Sequence, residues 1–115
     1  MSDEINQDAF EQVKALMGDK FPTLVETYLR TSRAHVEKIR SAYEAENAQA
    51  IADSSHAMKS SSGNMGLQGL SESMREIEAK AREVVDGDLS LDVLGGMITK
   101  AESQFASGEA FLTQE

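Results

Sequence analysis

The segment from Ser55 to Gly66 reads SHAMKSSSGNMG, and how it is read decides the fold. Taken with the residues before it, it holds small and apolar side chains in steps of three and four: Ala48, Ile51, Ser55, Met58, Ser62 and Met65. That spacing is the buried stripe of an amphipathic helix. Asn47 stands where a side-chain cap belongs, and Gly63 and Gly66 are read as the end of the helix. On a wheel of about 100° per residue with Ile51 at zero, the stripe centres near ~10°. His56 then falls at about 140°, roughly 130° from the core direction. Its neighbours three and four residues away are Ala52, Asp53, Lys59 and Ser60, and Gly63 lies one turn beyond Lys59. The helix turns a histidine outward, beside an ammonium and over a patch of small residues.

Similar stripes lie on both sides of this helix. A short N-terminal helix is expected from about Asp8 to Met17, with Phe10, Val13 and Met17 at helical spacing and Gly18 as a stop. A long one follows from Phe21 to about Glu46, with Val25, Tyr28, Ser32, Val36, Ile39 and Tyr43 facing inward. Pro22 sits near its start, where a missing N–H matters least. Beyond Gly66, a further helix carries Leu70, Met74, Ile77, Ala81 and Val84 and is closed by Val85-Asp86-Gly87-Asp88. The last helix, capped by Ser90 or Asp88, turns Leu91, Leu94, Ile98, Ala101, Phe105 and Leu112 inward. Gly95 and Gly96 weaken its first turn, at about 1 kcal/mol each against alanine. Short connections between long amphipathic helices make antiparallel neighbours. The expected fold is all-α: an up-and-down four-helix bundle with a short additional N-terminal helix, in one domain over residues 1–115.

Composition narrows the function. The 115 residues are 40% hydrophobic, 5% aromatic, and contain one proline and no cysteine. That suffices for one modest core and excludes disulfides and thiolate metal sites. A net charge of −9 argues against a nucleic acid or an anionic membrane as partner. No run of ~18 apolar residues could span a bilayer, and the first residues lack the pattern of a signal peptide. A cytoplasmic location is expected, and a monomer, since no large spare apolar face is evident.

The chemistry then rests on His56 and Lys59. A nearby like charge favours the neutral, nucleophilic imidazole. Neutral imidazole attacks phosphorus, and the lysine then neutralises the phosphoryl oxygens. No nucleotide-binding loop or dinucleotide fingerprint is present, so the phosphoryl group must come from another protein. The stretch Ser55-His56-Ala57-Met58-Lys59-Ser60-Ser61-Ser62-Gly63-Asn64-Met65-Gly66 resembles the motif of the histidine-containing phosphotransfer (HPt) domains of bacterial phosphorelays, roughly A/S-H-x-L/M-K-G/S-S/A-x-x-x-x-G. Ser60 departs from the commoner glycine but is still small. The opening SHAMKSS is similar to that of the LuxU-type carriers of quorum-sensing relays.

The resemblance implies that His56 is phosphorylated at Nε2, that Lys59 pairs with the phosphoryl oxygens, and that Gly66 permits a sharp turn between the two central helices. It also implies that Glu78 accepts a hydrogen bond from Nδ1 and so fixes the tautomer. The partners implied are receiver domains of a hybrid sensor kinase and of a response regulator. The receiver would hold Mg²⁺, so that this chain needs no cofactor or metal and is a carrier rather than an enzyme. Ala52, Ser60, Gly63 and Gly66 would form the docking patch, and Arg75 and Arg82, on the side of Glu78, would add to the positive field. His35 is read as a structural or surface residue, and Arg30, Arg33, Lys38 and Arg40 as a basic section able to orient an acidic partner. The readings from other classes are an adaptor that is never phosphorylated and a phosphatase of a receiver.

Overall fold

The structure, a computed structural model, describes residues 5–114. The expected domain of residues 1–115 includes residues 1–4 and 115, which lie outside the described residues. Five helices follow one another: α1 Gln7–Met17, α2 Phe21–Glu44, α3 Ala48–Asn64, α4 Gln68–Val85 and α5 Leu94–Thr113. Single 3₁₀ turns at Gly18–Lys20 and Leu91–Val93 lead into α2 and α5. No strand occurs among the described residues.

The boundaries follow from local chemistry. Asn6 caps α1 by accepting from the Ala9 N–H at 3.1 Å, one turn before the stripe that marks this helix in the sequence. Asn47 caps α3 in the same way, accepting from the Ala50 N–H at 3.1 Å. α2 stops at Glu44, two residues short of the expected end, because the chain turns back through Glu46 at φ +58°. Gly63 does not end α3, which continues through Asn64. The turn falls at Gly66, where φ is +82° and an added Cβ would stand 2.8 Å from the Asn6 carbonyl oxygen. Gly95 and Gly96 sit within the first turn of α5, which forms regardless of their low propensity.

α2 packs against α3 and α5, α3 against α4, and α4 against α5, so successive helices are neighbours and the ring closes. This is the four-helix bundle that the stripes predict. α1 lies across one end and touches α2 and α3. Its Phe10 is buried, edge-on to Phe21 and Phe111 with ring centroids 5.5 and 4.8 Å away. Ile39, Ile51, Met58, Met74, Ile77, Leu94 and Ile98 fill the core. Each such side chain contributes about 1.5–3 kcal/mol by leaving water.

Two polar pairs in the core tie helices together, while the Ser55 hydroxyl is buried without a hydrogen-bond partner among the described residues. The Tyr28 and Ser62 hydroxyls lie 2.7 Å apart, joining α2 to α3, and burial pushes the Tyr28 phenol up despite its contacts with Ser62 and Ser32. The Ser73 hydroxyl donates to Gln104 Oε1 at 2.5 Å, joining α4 to α5. α3 is therefore held on two sides, by α2 and by α4, and what remains of its surface faces outward.

Candidate functional site

The free strip of α3 carries His56, and α4 supplies what stands beside it. Glu78 lies on α4 at the edge of the Leu70–Met74–Ile77 stripe, and packing against α3 leaves it only 8% exposed. A buried carboxylate needs partners, and Glu78 has three nitrogen-bearing ones. The Lys59 ammonium donates to Oε1 at 3.0 Å. His56 Nδ1 lies 2.9 Å from Oε2. Arg82, one turn along α4, donates to the same Oε2 from Nη2 at 2.6 Å and from Nε at 3.2 Å. Burial pushes the Glu78 carboxyl up, but the hydrogen bonds from Arg82, Lys59 and His56 more than reverse this and hold it at about 2.

That ionisation settles the imidazole. An ionised carboxylate can only accept, so Nδ1 of His56 carries a proton and donates it. In the neutral ring the lone pair is then on Nε2. The His56 side chain is 63% exposed, and among the described residues no hydrogen bond reaches Nε2. The arrangement presents an oriented nucleophilic nitrogen to solvent beside two cations that share a single carboxylate.

The serine run has three separate fates. Ser62 is the buried partner of Tyr28. Ser61 bonds back to the carbonyls of Ala57 and Met58, each at 3.3 Å. Ser60 remains exposed on the face of His56. Ser71, which the stripes gave no reason to single out, donates from α4 to the Lys59 carbonyl at 2.7 Å. A Cβ on Gly63 would meet this same hydroxyl at 3.2 Å, so Gly63 serves the close approach of α3 to α4. The bulk on either side of a site-forming contact could be sensed only in three dimensions.

Other expected residues fall differently. Ala52 is wholly buried, because α3 is covered over a wider arc than one stripe, so it cannot meet a partner. Gly66 is buried against Asn6 and Phe10, and its part is the turn, not docking. Arg75 is exposed, and none of the hydrogen bonds to Glu78 comes from it. Arg82 is in the cluster, yet it is bound to Glu78 instead of standing as a free charge. Three of the four cations in the basic section of α2 form ion pairs: Arg40 with Glu102, Arg33 with Glu109, and Arg30 with Glu26. His35 is half-buried on α2. Asp53, a turn before His56, accepts from the Gln49 amide at 2.9 Å.

Among the described residues no group of three or more His, Asp or Glu side chains could hold a metal ion. No described helix is long and apolar enough to cross a membrane. An open, mainly apolar groove of about 710 Å³ runs between α1, α2 and the end of α3, lined by Val13, Leu16, Leu24, Tyr28, Gly63 and Met65 among others. Leu16 there is 84% exposed. The groove is a spare apolar face, so the ground for expecting a monomer does not hold.

A family model described as the Hpt domain matches residues 23–104. The fold is similar to the crystal structure of histidine-containing phosphotransfer protein B (HptB) from Pseudomonas aeruginosa PAO1, with a TM-score of 0.88 and 25% sequence identity. The alignment covers 96% of this chain and 92% of that one. No curated protein matches the chain in sequence.

Proposed function

The chain belongs to the Hpt domain family, and from that membership we propose that it is a phosphoryl carrier with His56 as the acceptor. The observation that carries the reading is the His56–Glu78 hydrogen bond at 2.9 Å, which leaves an exposed Nε2 as the nucleophile. A phosphoaspartyl receiver domain docks over Ser60 and Gly63, with the apolar groove continuing that face. Nε2 attacks the phosphorus in line; the N–P bond forms as the P–O bond to the aspartate breaks, and the carboxylate leaves. Lys59 takes charge from the phosphoryl oxygens. In the second half of the cycle an aspartate of another receiver attacks, and His56 leaves with its lone pair.

The residues around His56 do not fit a Mg²⁺ site, since Glu78 is already bound by three nitrogen-bearing side chains and Asp53 accepts from the Gln49 amide. The acidic cluster of the receiver is the place for the ion. Membership of the family supports a carrier that draws on other proteins for its phosphoryl group and works in the cytoplasm.

Mixing the chain with a ³²P-phosphorylated receiver and Mg²⁺ tests the reading. The expected result is acid-labile, base-stable label on the wild type and none on His56→Gln, with both equally folded. Label on neither chain from any receiver of the source organism would move the non-phosphorylated adaptor to first place. Loss of receiver phosphate without a labelled intermediate would favour a phosphatase.

A further inference from the structure

Resting on the carrier reading, we propose that Arg82 is a positioning residue that frees Lys59 to move from Glu78 to the phosphoryl group. The argument begins with the division of Glu78. Its Oε1 is held by Lys59, whereas Oε2 is held by His56 Nδ1 and by two nitrogens of Arg82. While Lys59 is held at Oε1 it shares its charge with Glu78, and only its remaining N–H donors can turn to phosphoryl oxygens on Nε2.

Withdrawing a cation from a nearly buried carboxylate is strongly unfavourable when nothing replaces it. Here the replacement is already bound. If Lys59 leaves, Glu78 keeps two nitrogen contacts from Arg82 and the one from His56, all on Oε2. The carboxylate stays charged and in place, and the ring therefore keeps its tautomer.

A charge count gives the same answer. With neutral imidazole, two cations face one carboxylate, leaving one positive charge in surplus for an arriving phosphoryl group. Without Arg82 the surplus disappears, and Lys59 is the sole cation for both Glu78 and the phosphate. Arg82 is thus coupled to Lys59 without touching the reacting atoms. Its side chain is half exposed, so replacing it leaves the core untouched.

The experiment is a double-mutant cycle on the equilibrium partition of phosphoryl label between this chain and a receiver. The variants are Arg82→Gln, Lys59→Gln, the pair together, and Arg82→Lys, each checked for folding by circular dichroism. Arg82→Gln should move the partition toward the receiver by roughly fivefold, a coupling of ordinary size for side chains in one network. In the Lys59→Gln background the same change should do little, and Arg82→Lys should restore the wild-type partition. An unchanged partition in Arg82→Gln overturns the proposal, and so does a loss in the pair equal to the product of the two single losses. A wild type that takes no label from any receiver fails at the carrier reading itself, which separates that failure from one confined to Arg82.

Discussion

Two of the carboxylates that bridge helices in this bundle, Glu102 and Glu78, are matched to their cations in different ways. Glu102 on α5 meets Arg40 on α2 one to one: Nη2 to Oε1 at 2.7 Å and Nε to Oε2 at 2.9 Å, with Thr99 taking a further contact at 3.1 Å. The hydrogen bond from Arg40 holds the Glu102 carboxyl below its ordinary value. That pair is saturated, and its geometry has no charge left for a third party. Glu78 is outnumbered by its donors. A closed pair ties two helices together, whereas an oversubscribed carboxylate keeps cations in place for an anion that is not yet there.

The contrast can be tested from either side. The largest effect should come from Lys59→Ala, which removes the cation that the proposed function sets against the phosphoryl oxygens. Phosphoryl transfer should fall on the order of 100-fold, as when one preorganised charge donor is lost, while the melting temperature barely moves. Unchanged transfer would place the neutralising charge elsewhere.

Next in size is the effect of Glu78→Gln on stability. The folded carboxyl sits at about 2, whereas an unfolded glutamate titrates at ~4.3. Between those values the unfolded chain binds more protons, so acid favours unfolding there. The stabilisation from the charge is complete above about pH 4.3 and is lost as pH falls toward 2. The variant should therefore be less stable than the wild type by about 2 kcal/mol at pH 6, with the gap closing over that window. Denaturant melts at several pH values measure it, and a gap that persists at pH 2 would assign the loss to packing.

The smallest effect is expected of Glu102→Ala. Its pair with Arg40 is about one-third exposed, and such bridges contribute about 1 kcal/mol or less. Transfer should be unaffected. A transfer defect as large as that of Lys59→Ala would erase the distinction between the two carboxylates.

What could be read from the sequence was whatever a single helix shows by itself. The stripe through Ile51, Met58 and Ser62 is periodic, and it placed His56 outward before any partner helix was known. Asn47 is a local cap and was legible for the same reason. The burial of Ala52 was not, because it depends on how much of the arc of α3 its neighbours cover. Gly63 shows the same limit: glycine after a serine run reads as a stop, but here its missing Cβ admits Ser71 of α4. Glu78 was reached through a family motif, and its contacts with His56 and Lys59 follow from the register of α4 against α3. Arg82 stands four residues after Glu78, an ion-pair spacing legible along α4 alone, but that its guanidinium shares Oε2 with His56 shows only in three dimensions.

His56, Lys59, Ser71, Glu78 and Arg82 all lie on α3 and α4, one hairpin of consecutive helices closed by a turn at Gly66. In kinetic terms this makes the reactive geometry a product of near-neighbour encounters along the chain, which are the fast ones. Closing so short a connection sacrifices little chain entropy. Docking α5 on α2, by contrast, must bring together segments such as Arg40 and Glu102 from well-separated parts of the sequence. Whatever slows the closing of the bundle as a whole, the piece that holds the candidate site is the piece with the shortest conformational search.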